Sequence, residues 1–367
     1  MTGSRIRSAM ASLTLALAFT LPQVAWSEPK SFEPNRKAWG HPDIEGLWDF
    51  RNLTPLERPA AFADKATLTP EEAEAFRKLV LQAVDVDNRT GEATVDVEGA
   101  YNSFWWDWGT ELREDLRTSL IIDPPNGRLP DITLQALARL EVQNRLRTPP
   151  VRDFFSYSAN VSVFRPEGPE SLGLSERCLV GFNAGPPLNP SAYNNNLRIV
   201  QTPKHIVLVT EMIHDARIVP MDERPHLAAE IRRWSGDSRG RWEGNTLVVE
   251  TTNFTDKTPT YQLPVDLAAL DEGGAVGSGM NMHLVERFTR VSASRLDYEY
   301  TITDPTTFVT PFTVNIPMRA SDGRMFEYAC HEGNYALTGM LKGARLLEAE
   351  ELDAPQGPTG RLDPKTE

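Results

Sequence analysis

The chain has 367 residues, a net charge of −13 and a hydrophobic content of 40%. A chain this acidic, with no run of Lys or Arg to override the balance locally, is repelled by nucleic acid and by anionic membrane surfaces, so both are excluded as partners. Aliphatic and aromatic residues are spread throughout, which excludes wholesale disorder and gives some 340 residues a substantial core to bury.

The start reads as a secretory signal over 1–27. Arg5 and Arg7 precede a short apolar run from Ala9 to Leu21, and Ala25-Trp26-Ser27 supplies small residues at the −3 and −1 positions of a cut. The run is too short for a stable membrane anchor. Removing it takes away two basic residues and no acid, moving the charge from −13 to −15. No second apolar stretch reaches spanning length, so the mature chain is expected to have no transmembrane segment and to be periplasmic or secreted. In an oxidising compartment Cys178 and Cys330, the two cysteines, are expected to pair.

Residues 28–154 read as an N-terminal arm and helical layer. Residues 28–60 are Pro-rich and irregular, an extended arm whose aromatics pack on something larger. Thr69-Pro70-Glu71-Glu72 is a helix start, with an N-cap, a proline at the first helical position and early acids. That helix is expected to fray near Asp85. Residues 99–109 carry Trp105, Trp106 and Trp108, either an aromatic wall of a cleft or a hydrophobic plug. A short strand over 118–123 ends in the turn Pro124-Pro125-Asn126-Gly127. A second helix follows over 131–145, with Leu134, Leu137, Leu140 and Val142 on its apolar face.

From about residue 155 to 345 the texture is β. Strands are predicted over 160–165, 197–202, 205–212, 215–220, 246–254, 283–291, 295–303, 312–319 and 325–331. Leu296, Tyr298, Tyr300 and Ile302 alternate with acids and threonines, the pattern of a half-buried antiparallel strand. Gly244-Asn245 marks a hairpin turn. The fold expected is mainly β: an antiparallel barrel or barrel-like sandwich with an N-terminal helical and irregular layer, and a flexible tail over 346–367.

Several segments carry a resemblance: Gly236–Phe254, Asn194-Asn195-Asn196 with Gln201-Thr202-Pro203, Glu211–Arg217, Tyr328–Asn334, and Arg117–Pro130. Together they resemble a large family of exported bacterial proteins without an assigned reaction, and the resemblance extends over most of the mature chain. It implies a secreted or periplasmic location and carries no activity. The strand pattern also resembles lipocalin-like barrels, a likeness of fold that does not itself license a function.

Polar residues that carry chemistry fall in three sets. Glu211, His214, Asp215 and Arg217 lie where an apolar strand ends; here His214 is a candidate general acid–base, Asp215 its orienter and Arg217 an anchor for an anionic or carbonyl group. Glu327, Tyr328, His331, Glu332 and Asn334 surround Cys330. Glu286-Arg287 and Tyr298-Tyr300 form a third set inside a strand pair, where any buried charge must be paired. Each set is equally an ordinary salt-bridged or disulfide-held element of a barrel. The candidate catalytic residues are therefore His214, Asp215, Arg217, Tyr298, Glu327 and His331. The six histidines, at 41, 205, 214, 226, 283 and 331, form no HxH or HExxH motif, and no metal is expected. Gly236–Gly240 reads as a turn entering the hairpin in preference to a catalytic serine loop. No nucleotide or organic cofactor fingerprint is present. The expected partner is a small organic ligand or substrate. Two functions compete: a cofactor-independent lyase, isomerase, hydratase or hydrolase, and a small-ligand-binding protein without catalysis.

Overall fold

A computed structural model describes residues 32–85, 87, 104, 106–145, 166–181, 183–192, 194–263 and 274–353. The predicted signal over 1–27 and the predicted strand over 160–165 lie outside the described residues, as does the expected domain boundary at 154/155.

The protein is mainly β, a ten-stranded antiparallel sheet that curls into a nearly closed barrel. In chain order the strands are β1 (Gly46–Asp49), β2 (Ile121–Asp123), β3 (Asn196–Gln201), β4 (His205–Thr210), β5 (Ala216–Pro220), β6 (Asp237–Glu243), β7 (Thr246–Thr252), β10 (His283–Arg290), β11 (Arg295–Thr303) and β12 (Phe312–Ala320). A separate hairpin pairs β8 (Tyr261–Leu263) with β9 (Gly274–Val276). The main sheet runs β5-β4-β3-β1-β12-β11-β10-β7-β6, and β2 adds to β12. The terminal strands β5 and β6 approach at Gly240, where a Cβ would come within 2.9 Å of Val219 Cγ1 and 2.3 Å of Met221 Sδ. Absence of a side chain there lets the two edges close on each other.

Period-two alternation makes this sheet. On β10, β11 and β12 the inward residues Leu284, Phe288, Leu296, Ile302, Phe312, Val314, Ile316 and Met318 are fully buried, while their neighbours face out. The β6–β7 hairpin turns at Gly244, whose φ of +61° suits the residue without a Cβ.

Residues 237–240, read from the sequence as a turn, belong to strand β6, and three larger features also differ from the sequence-based expectations. The arm over 28–60 does not only lie on the barrel: β1 sits inside the sheet, hydrogen-bonded to β3 on one side and β12 on the other. Residues 325–331 are not a strand; the Phe326 N–H meets the Glu211 carboxylate and the Tyr328 carbonyl meets His214. A helix, Tyr335–Asp353, runs through the expected start of the tail, so residues 346–353 are helical.

The first helix, α1 (Pro70–Ala83), begins with a full capping box: Thr69 Oγ1 accepts from Glu72 N, and Glu72 Oε2 accepts from Thr69 N at 2.8 Å. Its buried residues Ala73, Phe76 and Val80 pack with Leu53, Leu68 and Trp108 in a satellite core. Trp108 packs in this satellite core and also lines a surface cleft, so it has a part in both readings; Trp105 lies outside the described residues. The second helix, α2 (Leu134–Arg145), forms as predicted, but its inward contact is Ala136, and Leu134, Leu137 and Val142 are exposed. The C-terminal helix Tyr335–Asp353 is α3. No described helix is long and apolar enough to cross a membrane.

Candidate functional site

The inward row of β10 reads Leu284, Glu286, Phe288, and Glu286 is fully buried. Three donors hold it. Arg217, on β5 across the barrel, donates from Nη1 to Oε2 and from Nη2 to Oε1, the latter at 2.9 Å. Tyr298, on β11, donates its hydroxyl to Oε1 at 2.8 Å. A buried carboxylate without partners costs several kcal/mol, so the bidentate fork and the phenol are what allow the charge to stay inside. Burial works against the Arg217 charge, but the Glu286 carboxylate outweighs it and holds the guanidinium pKa above its ordinary value. Burial, reinforced by the Glu286 charge, pushes the Tyr298 hydroxyl well above the usual phenol range. Tyr298 is therefore a neutral donor at any working pH.

A second phenol cluster continues this wall. Tyr300 Oη donates to Asn189 Oδ1 at 2.7 Å, Tyr261 Oη lies 3.3 Å from the same atom, and the two hydroxyls are 2.6 Å apart. Burial also raises the Tyr300 and Tyr261 hydroxyls. Asn189 and Leu188 belong to the segment 183–192, which reaches into the barrel: the Leu188 N–H donates to Tyr298 Oη at 3.1 Å.

The other predicted residues are elsewhere. His214 is exposed on the turn between β4 and β5, and the hydrogen bond of its Nδ1 is to the Tyr328 carbonyl at 2.9 Å. A carbonyl accepts only, so Nδ1 carries the proton in this bond. The turn is strained: Ile213 has φ +61° and His214 φ +47°, uncommon for any residue with a Cβ and an outlier for a β-branched one. Ile213 and Met212 are buried against Ala184, Tyr328 and Cys330, which holds the conformation. Asp215, expected to orient His214, instead accepts from Ser235 Oγ at 3.5 Å, and Tyr328 O does the orienting. Glu211 is buried and accepts from Asn196 Nδ2 at 2.7 Å and from Phe326 N at 3.5 Å. The Cys178–Cys330 disulfide closes the same corner, with a Cα–Cα distance of 5.8 Å. Glu327 and His331 are exposed.

Of the six candidates, Arg217 and Tyr298 meet, through Glu286, inside the barrel. His214, Glu327 and His331 are on the surface, and Asp215 lies at the turn between the two groups. Sequence reasoning left Glu286, Tyr300, Tyr261 and Asn189 off its list of site residues. The signal for Glu286 was present: it is a carboxylate in the apolar row of an alternating strand.

Two further His–carboxylate pairs lie apart from this assembly. His283 Nε2 is 2.6 Å from Glu250 Oε1, and His226 Nδ1 is 3.2 Å from Asp237 Oδ2. The hydrogen bond to His283 is the main cause that lowers the Glu250 pKa. Burial pushes Asp237 up, but the Leu227 N–H, Arg239 and His226 more than offset it and leave the pKa lowered. Among the described residues no group of three or more His, Cys, Asp or Glu has a metal-holding arrangement. A surface cleft of about 390 Å³ is lined by Trp106, Trp108, Asp49, Arg51, Asp107 and Arg319, among others.

No protein-family model matches the chain, and neither a curated protein nor a solved structure matches it.

Proposed function

We propose that this is an exported small-molecule enzyme that moves a proton by acid–base chemistry inside its barrel, in the manner of a lyase, isomerase, hydratase or hydrolase. The observation that carries the reading is the fully buried Glu286, held by Arg217 and Tyr298. A barrel that only carries an apolar ligand has little use for a desolvated ion pair, whose replacement by packed hydrophobic residues is often neutral or stabilising. In the proposed mechanism the Tyr298 hydroxyl turns from Glu286 Oε1 to a substrate oxygen as charge develops there, the freed Oε1 accepts the substrate proton, and Arg217 offsets the charge. His214 was the first choice for the acid–base role from the sequence; its bond to Tyr328 at the surface moves that role inward. Export is supported by the signal-like start and by the disulfide.

The test is a panel of small carbonyl compounds and acids in D2O, followed by NMR for loss of protons next to the carbonyl and for new products. The wild type is expected to exchange or convert at least one member. Tyr298→Phe is expected to slow this by about a hundredfold or more. Binding detected by thermal shift, with no exchange and no conversion, leaves the second reading, a ligand-binding protein. That reading is favoured by the apolar majority of the interior, where Phe288, Phe312, Leu296 and Ile302 line the same wall.

A further inference from the structure

The donors on the barrel wall point at a piece of the chain itself. Asn189 Oδ1 takes the Tyr300 hydroxyl at 2.7 Å, and Tyr261, 3.3 Å from the same atom, has its hydroxyl 2.6 Å from that of Tyr300, so two linked phenols end on one carbonyl oxygen. A neutral phenol that donates to a carbonyl oxygen and is itself backed by a second phenol is an arrangement that polarises a substrate carbonyl. Next to it, the Leu188 side chain is 1% exposed and packs in the main core. The occupant is thus an isobutyl group and an amide, presented to the wall that also carries Glu286 and Tyr298.

The way this segment is held differs from the wall that it touches. Its C-terminal end is fixed by Asn195, whose Oδ1 accepts from Ser191 N at 2.8 Å and whose Nδ2 donates to Ser191 O at 2.8 Å. Its middle contains Pro186, Pro187 and Pro190, which have no N–H to give to a ladder. The middle is held to the barrel by the Leu188 N–H on Tyr298 Oη, by the Leu188 side chain in the core and by Asn189 Oδ1 on Tyr300. A ligand that offers the same groups competes for the same donors.

We infer that segment 185–190 fills a ligand site, and that the ligand is a small branched-aliphatic carbonyl compound whose oxygen replaces Asn189 Oδ1 between Tyr300 and Tyr261. Its alkyl part replaces the Leu188 side chain. This inference rests on the barrel site proposed above and gives that site a substrate class.

The probe is isovaleramide, which carries an isobutyl group and an amide. In the doubly truncated variant Leu188→Ala/Asn189→Gly the probe is expected to raise Tm saturably, because it binds only the folded state. Adding Tyr300→Phe removes one donor and is expected to weaken the probe by about tenfold. In the wild type the probe is expected to speed amide hydrogen exchange across 183–192 as it displaces the segment. A folded double variant whose Tm ignores the probe overturns the inference. So does binding that Tyr300→Phe leaves unchanged, and so does wild-type exchange over 183–192 that the probe does not alter. If the double variant does not fold, the wild-type exchange measurement decides alone. None of these readouts requires turnover. Probe binding without proton exchange on any compound overturns the catalytic proposal and leaves the site standing; turnover of a panel member without probe binding does the reverse.

Discussion

Tyr298 and Glu286 are diagonal, not opposite, in the β10–β11 ladder. Glu286 is in register with Tyr300, and Tyr298 with Phe288, yet it is the Tyr298 hydroxyl that reaches Glu286, at 2.8 Å. The diagonal reach frees the Tyr300 hydroxyl to turn to Asn189, so two adjacent phenols on one strand face serve two different acceptors. The consequences are measurable.

The Arg217–Glu286 pair is expected to act as a unit in stability. Glu286→Gln or Arg217→Met alone leaves a buried charge without its partner and is expected to cost about 3–5 kcal/mol in urea denaturation. The double variant is expected to cost clearly less than the two single costs added together. Strict additivity would show that the two side chains are not energetically coupled.

Alkaline pH is expected to unfold the protein through its buried tyrosines. Tyr298, Tyr300 and Tyr261 have pKa values raised by burial, so the folded state holds these protons more tightly than the unfolded chain does. Their stabilising effect is complete below the unfolded phenol value of about 10 and is lost as pH rises beyond it. Tyrosinate absorbance should therefore show these three of the eight tyrosines ionising only together with loss of far-UV β signal. Ionisation of all eight before any unfolding contradicts the assignment.

At the acid end the sign is reversed. Asp237 and Glu250 have lowered pKa values in the fold, so what they contribute is present above the unfolded carboxylate range and is lost as pH falls through it. Asp237→Asn is expected to flatten the fall of Tm between about pH 5 and 3. An unchanged slope would mean that Asp237 is not a source of it.

The disulfide is expected to stabilise the chain and to fix the tautomer of His214. It closes a loop of 152 residues, for which the chain-entropy relation gives about 5 kcal/mol. Cys178→Ser/Cys330→Ser is expected to lower stability and, by releasing Tyr328, to change the His214 imidazole nitrogen shifts from a single Nδ1–H form to a mixture. Retention of the single form in the variant would show that Tyr328 is held without the bridge.

Much of the fold was legible because it follows from local rules. Leu296, Tyr298, Tyr300 and Ile302 share a face by the two-residue period alone, and Gly244 turns the hairpin because of its φ. Thr69 and Glu72 cap α1 within four residues of each other. The segment over 325–331 has strand-like composition, yet it pairs with no strand: Glu211 takes the Phe326 N–H, and the Tyr328 carbonyl meets His214 and the Cys330 N–H. No local pattern announces that, since the competing side chains are more than a hundred residues away.

The sequence by itself determined the alternation of the strands, the pairing of the two cysteines and the kinds of residue available for chemistry, because composition and short-range periodicity decide which faces avoid water. Tertiary structure alone decided which of those residues meet. His214 and Arg217 are three positions apart, and the strained turn at Ile213 and His214 leaves one at the surface with Tyr328 while Arg217 enters the barrel. Arg217 and Glu286 are 69 positions apart, and they touch because a nearly closed barrel brings β5 and β10 across from one another, where a desolvated carboxylate accepts the Arg217 guanidinium.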